Sequence, residues 1–236
     1  MFVFLKLVLA HLIADFILQF EELYQLKVKS RLGHIFHALI HWVCSLLLLV
    51  PYLNMPFVWI FISATSVIHY FQDLFKYQLQ EKHPKQIFWC FTIDQIFHFL
   101  FLASIFLFPA ARVERGFPGH RTLDFLYSGN TATLYAIAYI AAIFKGCYFL
   151  HALRRSFIPE TRPGHFITSM EVWHAMAERG LTVSVFLFNI PSPALLIALP
   201  LVALLRISSK ELRSITDFVL SFFYAAAVGI FFRHWL

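Results

Sequence analysis

The sequence predicts an all-α fold, a polytopic transmembrane helical bundle of about eight spans, on three observations. Of its 236 residues, 60% are hydrophobic and only 14% charged, with a mean hydropathy of +0.71. So few charges cannot coat a water-soluble domain of this size. Apolar runs near the roughly 20 residues that a membrane helix needs recur at 3–20, 34–53, 56–75, 87–109, 131–153, 173–190, 193–206 and 215–233. Within the runs the residues are apolar on nearly every side, whereas a membrane β-barrel alternates polar and apolar positions over segments of about ten residues.

The first run carries His11 and Asp15 and lacks a small-residue cleavage site, so it reads as a retained helix and not a signal peptide. Gly33 precedes the second run, Pro51 and Pro56 bound the tight turn to the third, and Pro84 precedes the fourth. The longest connection, AARVERGFPGHRTLDFLYSGN at 110–130, is rich in Gly and Arg and is expected outside the membrane. Pro159, Pro163 and Gly164 break the chain between the fifth and sixth runs. The seventh is short and flanked by Pro191, Pro193 and Pro200; without it the count is seven. The expected organisation is a single membrane domain over 1–236, with helices 1–4 in 1–109 and helices 5–8 in 131–236.

A net charge of +6 and a pI near 9.3 would suit nucleic acid, but the distribution of the basic residues points elsewhere, and no nucleic-acid partner is expected. With eight spans, one side holds Lys27, Lys29, Arg31, Lys76, Lys82, Lys85, Arg154, Arg155, Arg162, Arg206, Lys210 and Arg213; the other holds Arg112, Arg115, Arg121 and Arg233. By the positive-inside rule the first side is cytoplasmic and both termini are extracytoplasmic. The basic loops also suit contact with anionic membrane lipid. Cys44, Cys90 and Cys147 all fall within runs, which argues against a disulfide framework or a thiolate zinc site.

Ionisable residues inside a membrane cost a few kcal/mol each on insertion scales, yet the N-terminal half gathers them: HLIAD (His11, Asp15), HIFHALIH (His34, His37, His41), HYFQD (His69, Asp73) and DQIFH (Asp94, His98). In each run the key residues stand four apart and share one helix face. At a rise of about 1.5 Å per residue, Asp15 and His11 lie about 7 and 13 Å from the cytoplasmic helix end, His37 and His41 about 5 and 11 Å, and Asp94 and His98 about 10 and 16 Å. His69 lies about 9 Å deep with Asp73 near the rim. The expectation is a deeper tier of His11, His41, His69 and His98 and a shallower one of Asp15, Asp73 and Asp94. His11, Asp15, His37, His41, His69, Asp73, Asp94 and His98 are therefore the candidate ligands of a divalent metal, zinc above others. Asp15, Asp73 and Asp94 are the candidate catalytic carboxylates, each also suited to fixing an imidazole tautomer. The competing reading is that the imidazoles and carboxylates hydrogen-bond one another and hold the bundle together. His34 at the membrane boundary, and Lys76, His83 and His165, read as solvated. In the C-terminal half His174 and Glu178 share a face, and Arg179 with Glu178 or Asp217 reads as a structural ion pair; Lys145 and His151 have no assigned role.

HLIADFILQ, the H-x-x-H-x-x-x-H, IHYFQDLFK and FTIDQIFH together resemble a bacterial inner-membrane family, the domain of unknown function DUF3307. The positions carried over are His11, Asp15, Gln19, His37, His41, His69, Asp73, Lys76, Asp94, Gln95 and His98. ERGLTVSVFLF and LRISSKELRSITDFVLSFFYAA resemble its C-terminal part. Phe71-Gln72 and Asp217-Phe218 depart from the residues usual there. The resemblance implies a multi-pass protein of the bacterial inner (cytoplasmic) membrane and supplies no activity. The functional expectation is a metal-dependent hydrolase acting on a lipid-linked or amphiphilic substrate at the cytoplasmic leaflet. Its rivals are a metal-ion or proton-coupled transporter and a non-catalytic membrane anchor or partner protein. Crowding of the polar residues in one half of the bilayer favours a one-sided pocket over a transport path.

Single cysteines placed in the 110–130 connection are expected to react with an impermeant maleimide from outside the cell, and those beside Lys82 only after permeabilisation. The reverse pattern would overturn the assigned topology.

Overall fold

Every regular element among the described residues is a helix; the computed structural model describes residues 2–117, 119–157, 170–189 and 212–236. The chain divides into two compact units, Met1–Thr133 and Leu134–Leu236. Among the described residues, Arg31–Leu48, Ile87–Leu107, Thr131–Phe157 and Thr216–Arg233 are long and apolar enough to cross a membrane. Phe2–Ile17 with Glu21–Lys29, bent by 85°, makes a fifth if the pair is one broken span. This is fewer than the eight expected. In Pro56–Lys82 the residues Ser63, Thr65, Ser66, His69, Gln72 and Asp73 dilute the hydropathy of a helix otherwise long enough. Met170–Phe188 carries Glu178 and Arg179, and 193–206 lies outside the described residues.

The first unit comprises α1 (Phe2–Leu12), α2 (Glu21–Lys29), α3 (Arg31–Leu48), α4 (Pro56–Lys82), α5 (Ile87–Ala103) and the short α6 (Arg121–Tyr127). Its polarity is inverted relative to a soluble domain. Phe36, Leu39, Val43 and Leu47 of α3 and Trp89, Phe97 and Leu100 of α5 are exposed, while the histidines and aspartates of the same helices are buried. Such a surface suits hydrocarbon, with polar groups turned toward each other.

α1 does not end cleanly. It widens into a π-turn at Ile13–Ile17, closed by Leu18 N–H on Ile13 O at 2.9 Å, and Asp15 sits in that turn. Wide turns of this kind recur at functional positions. From there the chain swings into α2. Along EELYQLKVK, Leu23 and Lys27 stand four apart and both are buried. The Lys27 ammonium donates to Asp73 Oδ2 of α4 at 2.8 Å and to Gln19 Oε1 of the bend at 2.7 Å, and faces the Tyr77 ring. α2 is thus fastened by a buried ion pair. It also lies directly on α3: a Cβ on Gly33 would collide with the backbone of Leu26 and Lys27, so only glycine permits that approach. At the other end of α1, Lys6 is buried and donates to Leu126 O at 2.8 Å and Thr133 Oγ1 at 2.9 Å, tying down the connection that follows α5.

The second unit comprises α7 (Thr131–Ile140), which opens into a π-turn at Ala141–Lys145, then α8 (Gly146–Phe157), α9 (Met170–Phe188) and α10 (Leu212–Arg233). Carbonyls of the π-turn also receive side-chain donors: Tyr224 Oη to Ala141 O at 2.9 Å and Arg179 Nη2 to Ile143 O at 3.1 Å. Arg179 also donates to Ser221 Oγ and Cys147 Sγ. Asp217, one of the two carboxylates expected beside Arg179, instead pairs with Arg154 at 2.7 Å.

Gly33→Ala is expected to lower stability by about 1–3 kcal/mol through overpacking of α2 on α3, although alanine is the better helix former by about 1 kcal/mol; thermal unfolding in detergent reads the sign. Lys27→Ala should cost more, about 3–5 kcal/mol, because it strands the buried Asp73 carboxylate. Lys27→Met with Asp73→Leu should recover most of that loss in the same measurement.

Candidate metal centre

Four helices of the first unit turn their polar faces to one point, and each does so for a sequence reason. His37 and His41 share a face of α3 by i,i+4 spacing, Asp94 and His98 do the same on α5, His69 faces inward from α4, and the π-turn of α1 presents Asp15 one turn after His11. Asp15 lies at the middle. Its Oδ1 is 3.0 Å from His37 Nε2, 2.9 Å from His41 Nε2 and 3.7 Å from His69 Nε2, and its Oδ2 is 3.4 Å from His11 Nε2.

The imidazoles also stack on one another. Ring centres lie 3.6 Å apart for His41 and His69, 4.5 Å for His69 and His98, and 4.8 Å for His11 and His98. All of these residues are buried. His69 Nε2 and His37 Nδ1 have no hydrogen-bond partner among the described residues, a costly state for buried polar atoms.

One ligand atom from each of His11, Asp15, His41 and His69 can be chosen so that all lie within 4.8 Å of one another. Zinc bonds of 2.0–2.1 Å place tetrahedral ligands roughly 3.3–3.4 Å apart, so several of the observed separations already match and the widest must contract. Three imidazole nitrogens and a carboxylate oxygen form a donor set that suits zinc and other first-row metals. Beside it is a cavity of about 20 Å³ lined by His11, His41, His69, His98, Ser45 and Gln72, among others. That is room for about one water.

The remaining carboxylates are held differently. Asp94 receives His98 Nε2 at 3.1 Å and the Lys76 ammonium at 3.2 Å. Gln95 Nε2 bridges it at 3.3 Å to Asp15 at 3.5 Å. Asp73 receives Lys27 and, at 2.7 Å, His34 Nδ1.

Of the eight predicted ligands, the structure thus brings His11, Asp15, His37, His41, His69 and His98 into one cluster. Asp94 sits at its edge, and Asp73 stands in a separate group with Lys27 and His34. The expected split into a histidine tier and an aspartate tier is replaced by an arrangement in which Asp15 lies among the histidines, because the π-turn carries its carboxylate between α3 and α4. Lys76 is not a solvated loop residue but lies in α4, three residues after Asp73 and seven after His69, on their face. His34 is likewise buried. Lys27 was missed as a site residue; its i,i+4 relation to Leu23 was the available signal. His165 lies outside the described residues.

No curated protein and no solved structure matches the chain. Residues 3–114 match the family described as protein of unknown function, DUF3307. The resemblance read from HLIAD, HIFHALIH, IHYFQD and FTIDQIFH is borne out there, and the matched residues hold the whole His/Asp cluster.

Proposed function

We propose that this is an integral membrane protein that binds one divalent metal ion, zinc by its donor set, through His11, Asp15, His41 and His69. We further propose that it works as a hydrolase on an amphiphilic or lipid-linked substrate at the cytoplasmic leaflet of a bacterial inner membrane. One observation carries the metal reading. Asp73 and Asp94 each have a lysine ammonium within ion-pair distance, whereas among the described residues Asp15 is met by imidazoles and the Gln95 amide. A buried carboxylate is stabilised by a cation, and the converging nitrogens around Asp15 are suited to holding one.

When bound, such an ion supplies a Lewis acid and lowers the pKa of a coordinated water. The chain's own residues do the rest. Asp15 fixes the orientation of the His37 ring. Asp94, neutralised by Lys76, fixes His98, which lines the water-sized cavity and is placed to accept a proton there. Asp73, tied to Lys27 and His34, holds α2 in position and takes no direct part in the chemistry. A second reading, proton or ion passage, is favoured by the unbroken contact of the His98, His69, His41 and His37 rings. Flux across proteoliposomes that vanishes in Asp15→Asn would favour it over hydrolysis.

Protein purified without chelator is expected to contain one metal ion per chain. Chelation should lower the melting temperature and zinc should restore it, by about 2.7 kcal/mol at a free metal concentration a hundredfold above Kd. Asp15→Asn and His69→Ala should abolish both effects. Identical melting with and without metal in the wild-type protein would leave the cluster as a hydrogen-bonded structural element.

A further inference from the structure

The elbow between α1 and α2 encloses a second cavity, distinct in chemistry from the first. It measures about 480 Å³, within the usual range of ligand pockets. Leu18 and Phe20 of the bend, Leu26 of α2, and Phe36, Val43 and Leu47 of α3 are among its walls, and Glu22 is the acidic residue that lines it. Four of those six apolar residues, Phe20, Phe36, Val43 and Leu47, are more than two-fifths exposed, so protein packing leaves the cavity open along one side.

We infer that this groove holds one hydrocarbon chain of a membrane lipid, lying along α3 with its headgroup toward α2. Length and polarity both support that occupant. From Phe36 to Leu47 the helix rises about 16 Å, close to half of a hydrocarbon core about 30 Å thick. The groove therefore has the depth of one leaflet. Its lining is apolar apart from Glu22, which suits a file of methylenes.

The polar groups gather at one end only. α2 lies at 85° to the preceding helix, so with α1 upright in a membrane α2 lies along its surface. Glu22, Lys29 and Arg31 are exposed on α2 and at its junction with α3, as an amphiphile's headgroup requires.

The groove also shares a thin wall with the metal centre. Cys44 lines it and packs against Ala10 and Ala14, the residues that immediately precede His11 and Asp15. The inference rests on the membrane placement proposed above and assigns to that site a substrate or ligand class, a lipid with a single seated chain.

Native mass spectrometry of the full chain, released from mild detergent after exhaustive exchange, tests it. One lipid should remain bound per chain, or be regained on adding palmitoyl-oleoyl phosphatidylglycerol. Val43→Trp and, from the opposite wall, Leu26→Trp should each lower that adduct at least about tenfold, since displacing two methylenes at about 0.8 kcal/mol each already costs that much. Metal content should be unchanged in both. His69→Ala should lose the metal and keep the lipid; a wild-type protein without metal but with a lipid lost on groove filling would sink the metal reading alone. Absence of a 1:1 adduct in the wild type, retention of it in both tryptophan variants, or replacement of it by a chain dimer that the variants abolish would overturn the groove assignment.

Discussion

The first unit depends on the burial of the Asp15 carboxylate. An isolated ionised carboxylate in a low-dielectric interior is prohibitively costly, so the surrounding helices are constrained to bring donors to it. α3 supplies two imidazoles, α4 one, α5 an amide, and α1 a histidine one turn away. None of those helices can slide or rotate by a residue without withdrawing its donor. With its outward surface apolar and half exposed, the unit has little hydrophobic reason to choose one packing over another in a lipid surrounding. Polar contacts at the centre supply that choice.

The three buried carboxylates among the described residues of the first unit have divided into two kinds. Asp73 and Asp94 have cations built into the chain, Lys27 and Lys76, and their positions are structural: one fastens α2, the other closes the cluster beside α5. Among the described residues Asp15 has no lysine ammonium within ion-pair distance, and the ring nitrogens around it belong to a side chain that both donates a hydrogen bond and ligates metal. His69 Nε2 in particular faces Asp15 Oδ1 at 3.7 Å, too far for a hydrogen bond and with no other partner among the described residues. A bound cation would fill that gap.

Much of this was legible in the sequence because helical spacing transmits directly into space. His11/Asp15, His37/His41 and Asp94/His98 stand four apart, and each pair meets the cluster as that spacing requires. The all-helical class follows from the same apolar runs. What local spacing cannot carry is a change of helical register or a bend. The π-turn at Ile13–Ile17 moved Asp15 in among the histidines, and the 85° turn after it laid α2 across the unit, burying Lys27, which charge counting had assigned to a loop. His34 reads as a boundary residue and Lys76 as a loop residue, yet His34 is buried against Asp73 and Lys76 lies in α4 beside Asp94. Fewer of the described helices qualify as spans by hydropathy for a related reason: the helices that build the site need polar residues, and those residues lower the hydropathy by which a span is recognised.

X-ray absorption at the zinc edge of the purified protein tests the central claim most directly. The account predicts one zinc per chain with a first shell of nitrogen and oxygen alone at about 2.0–2.1 Å, multiple-scattering features of about three imidazoles, and loss of the signal in Asp15→Asn. A sulfur shell at about 2.3 Å, which would draw in Cys44 or Cys90, or a protein that takes up no zinc at all, would contradict it.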